Sequence, residues 1–366
     1  VQEMEEADEK GDMRTVHQGA RILSGKSRNF QSPQPTKTKD GVMIQSAKEL
    51  GEIWQNFLAG KLKATELEAA RQWQKLEPKT DNPLTYEEFA RAVKHMKHGK
   101  SVGPDNIPAE VWKNSSVANN ELYFFLKHVW DQECIPSTLV LCVFVMIYKR
   151  KGSQDDPEMY RAIGLLNHSY KILSVCLLHR LVAETDWFLS EWQAGFRKDR
   201  GCRDNILLLR VIYDQYIKGK TNCIITYIDF AAAFDSVSHK FIDTALADAG
   251  ASAKSRSIFR AIYRAASATT RVADTDDKYV QSKPFPIRRG VVQGDITSPL
   301  LFVLALQLIL TRHDNVSGKG VPFAGDVMHT FAYADDAAML DTDVQTATAR
   351  VTAIAKGSKA DADMTI

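Results

Sequence analysis

The 366-residue chain has no Cys-x-x-Cys pair, no long apolar run and almost no net charge. Its five cysteines, Cys134, Cys142, Cys176, Cys202 and Cys223, are scattered and mostly lie in apolar surroundings. That spacing offers neither a zinc site nor a disulfide framework, and suits a reduced intracellular chain. The longest apolar run, Leu300 to Leu310, is too short to span a bilayer and contains Gln307, so no membrane partner is expected. No signal peptide or internal repeat is visible. A net charge of +2 does not by itself point to nucleic acid. The length allows two domains or one large lobed one. The chain begins at Val1 rather than Met, so a fragment or processed product is expected.

The charges that are present are unevenly placed. The first twelve residues are acidic. Basic residues cluster at Arg91, Lys94, Lys97 and Lys100, at Lys149 to Lys151, and at Arg197, Lys198, Arg200 and Arg203. Together these fit a phosphate-binding face, while any one alone fits a solvated surface equally well.

Two carboxylate positions carry the chemistry. Asp335 and Asp336 interrupt the apolar run from Phe331 to Leu340. Strand alternation would send adjacent side chains to opposite faces, so a tight turn is expected there. Two carboxylates ~4 Å apart repel by roughly 4 kcal/mol at an effective dielectric of 20, which a divalent cation or a shared proton can neutralise. A solvated turn is the plainer reading of an isolated Asp-Asp pair. About a hundred residues upstream, the β-branched run Cys223 to Ile228 reads as a strand buried on both faces, ending in Asp229. A strand-end carboxylate beside the hairpin pair would complete a three-Asp cage for two Mg²⁺ ions, with Mn²⁺ as an alternative.

From about Leu84 onward, ordered blocks resemble the reverse transcriptase of non-LTR, LINE-type retrotransposons. They are Ser101 to Glu110, Ile147 to Gly152 with Tyr160 to Asn167, Gln193-Ala194-Gly195-Phe196-Arg197 with Asp204, Asp229 to Asp235, Arg289 to Gly294 with Ser298 to Phe302, and Tyr333 to Asp336. Departures from the family pattern are Ala162, Ala232 and the stretch Asp295-Ile296-Thr297, none at a metal ligand.

The resemblance implies an α+β right-hand polymerase fold, its antiparallel palm sheet backed by helices and its thumb absent. It divides the chain into an N-terminal extension (1–83), fingers (84–221) and a palm (222–366). It implies an RNA template, a DNA primer and deoxynucleoside triphosphates as partners. Asp229 and Asp335 would bridge the metals, with Asp336 supporting them. Lys149, Lys151 and Arg161 would hold the triphosphate. Phe234 would exclude a 2′-hydroxyl, and Gln293 and Gly294 would sit against the template base and incoming nucleotide. A surface charge for each cation and a core position for Phe234 are the plainer alternatives. An RNA-dependent RNA polymerase, a group II intron-type maturase and a non-catalytic RNA-binding remnant are the competing functions. Location in nucleus and cytoplasm would follow for a retroelement protein; the oligomeric state is open.

Periodicity and turn residues predict the elements around these blocks. Residues 1–39 are polar and expected to be flexible. Helices are expected over Ala47–Leu58 and Ala64–Leu76. Another runs from Thr85, with a Glu88 capping box and Phe89, Ala92, Val93 and Met96 inward, to about His98, where Gly99 ends it. Further helices are expected over Glu121–Asp131, Tyr170–Ala183, Asp204–Lys218 with Ile206, Leu209, Arg210 and Tyr213 at helical spacing, Ser238–Gly250 and Lys254–Ala265, and one opens at Ser298-Pro299. Leu139–Tyr148 reads as strand. Thr269–Ala273 and Tyr279–Arg288 read as a hairpin whose acidic tip, Asp274 to Asp277, is a turn rather than a metal site.

Overall fold

The computed structural model describes residues 32–366, apart from 71, 75, 77–81 and 275–278. The expected flexibility of residues 1–31 and most of the acidic tip Asp274 to Asp277 lie outside the described residues. In chain order the helices and strands are α1 (Ala47–Lys61), α2 (Glu66–Ala70), α3 (Tyr86–His95), α4 (Ala109–Asn114), α5 (Ser116–Gln132), β1 (Leu141–Tyr148), β2 (Tyr160–Leu166), α6 (His168–Thr185), α7 (Cys202–Lys218), β3 (Ile224–Ile228), α8 (Ala233–Ser236), α9 (His239–Asp248), α10 (Ala253–Ala265), β4 (Ser267–Ala273), β5 (Tyr279–Gln281), β6 (Phe285–Pro286), α11 (Ser298–His313), β7 (Val321–Phe323), β8 (Asp326–Met328), β9 (Thr330–Tyr333), β10 (Asp336–Asp341) and α12 (Val344–Ala362).

Two compact units are formed, one by Val1–Ile44 with Met146–Arg161, the other by Gln45–Val145 with Ala162–Ile366. Within the smaller unit Asp155 accepts the backbone N–H groups of Thr36 and Lys37 at 3.0 and 3.1 Å. Ser32 accepts the Tyr148 N–H at 2.6 Å.

The larger unit is a mixed α/β assembly. One sheet has the order β2-β1-β4-β5, with β6 also on β4. β1 and β4 run parallel, and β5 and β6 pair antiparallel to β4. A second, wholly antiparallel sheet has the order β3-β10-β9. Helix α11 is apolar nearly all round and buried from Leu300 to Leu306. It packs between α9 and α12. Its burial supplies much of the hydrophobic driving force here, since each fully buried Leu or Phe contributes about 1.5–3 kcal/mol.

Local signals fare well where they are self-contained. The Thr85–Glu88 capping box forms in both directions, and Phe89, Ala92, Val93 and Met96 are all buried. That same Glu88 takes a two-pronged contact from Arg180 of α6 at 2.6 and 2.7 Å. Thus one carboxylate caps α3 and ties it to α6. Three expectations need correction. Helix α3 stops at His95, and Gly99 lies beyond a short non-helical stretch. The polar helix expected over Ala64–Leu76 is described only as α2. Strand β3 is not buried on both faces: Tyr227 is 73% exposed and only Ile228 is buried. An apolar run cannot reveal whether a second layer covers its sheet, and here one face stays open.

Arg350 of α12 locks the far end of the second sheet. The guanidinium is fully buried and pairs with Asp314 at 2.7 Å and Asp341 at 2.9 Å. It also donates to the carbonyls of Leu340 and His329. Each of its partners is thereby satisfied, which is the condition for tolerating buried charge. Replacing Arg350 with Met would strand Asp314 and Asp341 without it. We expect a loss of about 3–5 kcal/mol in urea unfolding. A loss below ~1 kcal/mol would show that the cluster is dispensable.

Candidate active site

The Asp-Asp pair sits where alternation requires, at a two-residue turn. Tyr333 of β9 pairs with Asp336 of β10, so Ala334 and Asp335 form the tip. Ala334 adopts a left-handed φ of +56°. On its other edge β10 pairs with β3, Ala337 opposite Ile228. One step further along that register Asp229 faces Asp336. Asp229 and Asp336 are exposed, and Asp335 is half-buried. Partial burial raises the Asp335 carboxyl above its usual range, and the charges of Asp336 and Asp229 push it further in the same direction, against its own backbone amide. The three carboxylates therefore share one electrostatic environment.

They do not form a finished cage. Among the described residues no three His, Cys, Asp or Glu side chains stand close enough to hold a metal ion as placed. The donor set itself, three hard carboxylate oxygens groups without an ion pair among the described residues, suits Mg²⁺ or Mn²⁺. The register puts Asp336 directly across from Asp229.

Beside the carboxylates runs a groove of about 340 Å³ between α7 and the open face of the second sheet. It is lined by Ile206, Leu209, Tyr227, Asp229, Tyr333 and Asp336, among others. Ile206 and Tyr213, which helical spacing placed on one stripe of α7, are exposed. The stripe that α7 buries is Ile212 and Tyr216, packed with Val321, Met328, Phe331 and Leu340.

The Phe234 and Gln293 positions are brought together by backbone contacts. The Val291 N–H donates to the Phe234 carbonyl at 2.6 Å, and the Gly164 N–H donates to the Gln293 carbonyl at 2.6 Å. Phe234 is half-buried, its ring stacked on buried Phe302 at 4.9 Å between centroids. Gly294 is exposed with φ +118°, and a Cβ there would stand 2.4 Å from the Gly164 carbonyl oxygen. The close approach that Gly294 permits is thus to β2. Behind this loop lies buried Asp295, which sequence reasoning passed over as a family departure. Its carboxylate accepts from Tyr170 Oη, Thr297 Oγ1 and the Ile296 N–H. Burial pushes its carboxyl up, and those three hydrogen bonds oppose the shift. A lone Asp between Gly and Ile was the available signal.

Lys149, Lys151 and Arg161 belong to the smaller unit. There the Lys149 ammonium donates to the Glu158 carbonyl at 2.7 Å, while Lys151 and Arg161 are exposed. A role for them at the triphosphate rests on the resemblance alone.

Residues 148–362 match the family model described as reverse transcriptase (RNA-dependent DNA polymerase). The chain belongs to the reverse transcriptase family. It is 28% identical over 275 residues to the retrovirus-related Pol polyprotein from type-1 retrotransposable element R2 of Popillia japonica, covering 72% of this chain and 36% of that protein. It is also 28% identical over 202 residues to the corresponding polyprotein of type-2 retrotransposable element R2DM of Drosophila melanogaster, covering 55% of this chain and 18% of that one. The chain thus spans about a third or less of the length of these curated relatives, and it carries the reverse transcriptase domain of a non-LTR retrotransposon. Family membership implies the polymerase fingers-and-palm fold.

The raised Asp335 carboxyl has a measurable consequence. Its ionisation costs stability as pH rises above the ordinary Asp value of 3.8, and the cost levels off above the higher folded value. Asp335→Asn removes that cost. In metal-free buffer the variant should melt higher than wild type at pH 7, and the gain should vanish below about pH 3.8. Melting curves across that range in EDTA decide it, and an unchanged or lower melting temperature at neutral pH would contradict the electrostatics described.

Proposed function

We propose that the protein is an RNA-directed DNA polymerase that adds deoxynucleotides to a primer 3′-hydroxyl during retrotransposition. The observation that carries this reading is the gathering of Asp229, Asp335 and Asp336 at one end of the β3-β10-β9 sheet, with no ion pair among the described residues, in a chain of this family. Asp229, Asp335 and Asp336 would hold two Mg²⁺ ions through their carboxylates. When bound, such ions lower the pKa of the attacking hydroxyl and neutralise charge on the leaving pyrophosphate.

The chain's own residues do the positioning. Asp229 and Asp336 present oxygens on the open face of the sheet, and Asp335 presents one from the turn between β9 and β10. Phe234, backed by Phe302 and fixed through its carbonyl by Val291, offers a ring edge beside the sugar. Gln293 and Gly294, held against Gly164, form the wall for the template base and incoming nucleotide. Recognition of template and primer would run through backbone and shape, because a polymerase accepts every sequence. Residues 84–221 would serve as fingers and 222–366 as palm, and the protein would act in nucleus and cytoplasm.

Primer extension on an RNA template, with Mg²⁺ or Mn²⁺ supplied, tests the proposal. Asp229→Ala, Asp335→Ala and Asp336→Ala should each abolish synthesis while circular dichroism melts show a folded chain. Near wild-type synthesis by Asp229→Ala would remove the mechanism, and RNA binding without any extension by wild type would favour a non-catalytic role. Phe234→Ala should raise the ribonucleotide-to-deoxynucleotide ratio of kcat/KM about 10-fold, equivalent to ~1.4 kcal/mol of discrimination. An unmoved ratio would leave Phe234 as packing for Phe302.

A further inference from the structure

Gln193 is buried and polar, and it has no part in the chemistry above. Its side chain is nevertheless committed to the catalytic turn. Oε1 accepts the Ala334 N–H at 3.1 Å and the Gly195 N–H at 2.9 Å. Nε2 donates to the Ala334 carbonyl at 3.5 Å, a longer contact. The amide thus holds the N–H and the carbonyl of the one residue that precedes Asp335 and Asp336.

The backbone around Gln193 keeps it there. Gln193 forms a parallel bridge with Ala332 of β9. The Ala194 N–H donates to the Ala332 carbonyl at 2.9 Å, and the Ala332 N–H donates to the Trp192 carbonyl at 3.0 Å. Asn205 of α7 donates to the carbonyls of both Trp192 and Ala332. At Gly195 a Cβ would stand 2.2 Å from the Ala334 nitrogen, so no other residue fits this approach without movement. The segment Trp192–Gly195 therefore acts as a short extra strand laid along β9. It delivers one carboxamide to a turn residue whose left-handed φ is uncommon for Ala.

The direction of the Ala334 peptide groups sets where the next two side chains point. A carboxylate ligand displaced by about 1 Å can cost a reaction 10²-fold. We propose that Gln193 is a positioning residue, whose carboxamide grips Ala334 and aims Asp335 and Asp336 at the divalent cations. The proposal rests on the polymerase reading for its purpose, but its test does not require catalysis.

The decisive variants are Gln193→Met, which keeps length and bulk but loses the hydrogen bonds, and Gln193→Glu, which keeps the acceptor for the Ala334 N–H. Mn²⁺ binding to the free protein is titrated by electron paramagnetic resonance, and backbone amide exchange is followed over Tyr333 to Asp336. Primer extension gives kcat, KM for deoxynucleotide and the Mg²⁺ concentration for half-maximal rate. In wild type the Ala334 amide should exchange slowly. Gln193→Met should weaken Mn²⁺ binding about 10-fold, as loss of an outer-shell partner does at metal sites. It should also speed Ala334 exchange, lower kcat and raise the Mg²⁺ midpoint, with KM little changed. Gln193→Glu should regain most of the slow exchange.

A role in packing alone would lower the melting temperature and leave the Mn²⁺ affinity of the folded fraction unmoved, which would overturn the proposal. So would a wild-type Ala334 amide that exchanges as if unprotected, a result that needs no variant. If wild type binds Mn²⁺ through these aspartates yet makes no DNA, the polymerase reading falls while a weakened Gln193→Met still supports the positioning role.

Discussion

Repulsion among Asp229, Asp335 and Asp336 is the constraint to which the β3-β10-β9 sheet and its supports answer. Elsewhere in the described chain buried carboxylates are matched. Asp243 lies between Arg256 and Arg260, and Asp314 and Asp341 share Arg350. Asp295 is met by neutral donors instead, with its carboxyl pushed upward. Asp229, Asp335 and Asp336 have no such partner among the described residues. They stand together at one end of the β3-β10-β9 sheet, where a countercharge from outside would relieve their repulsion.

Because the repulsion acts to spread the hairpin, the holding forces come from behind it. At the far end of β10, Arg350 ties Leu340 and Asp341 to α12 and to the segment after α11. At the near end, Trp192–Gly195 runs along β9 and Gln193 closes on Ala334. The apolar stripe of α7 and the buried Phe331 and Leu340 fill the space between. The site is thus built on strands anchored at both ends rather than on a free loop, which is how ligand geometry is kept within tenths of an ångström.

What could be read in the sequence follows the range of the interactions involved. The capping box of α3 needs only residues three apart, so Thr85 and Glu88 announce it. The strand–turn–strand at Tyr333 to Asp336 is likewise local, since alternation forbids adjacent carboxylates on one straight face. Helix α11 is legible because an apolar run of its length has few other homes. Burial on both faces of β3 was misjudged because the missing layer is a property of the assembled sheet, not of Ile224 to Ile228. Ile206 and Tyr213 shared a helical stripe, but only the fold decides which stripe of α7 turns inward, and it is that of Ile212 and Tyr216. Gln193 could not be assigned a role from its neighbours, for its partner lies 141 residues away.

The choice of Ala at position 334 connects these scales. A left-handed conformation costs an L-residue roughly 1–2 kcal/mol, which Gly would avoid. Ala334 is 5% exposed, however, so its methyl group is packed, and Gly would give the turn more conformations to choose among. Each net hydrogen bond is worth about 0.5–1.5 kcal/mol, so the Gln193 contacts to the Ala334 N–H and carbonyl are of the size needed to offset the strain. Phe196 and Asp199, in the segment just beyond Gly195, are also left-handed, and the Phe196 ring lies 6.3 Å from that of Tyr333. Left-handed residues therefore sit on two stretches that meet at the Tyr333 to Asp336 turn. The aspartates are aimed by a mutual fit between segments, and a turn that suited its own backbone better would hold them less firmly.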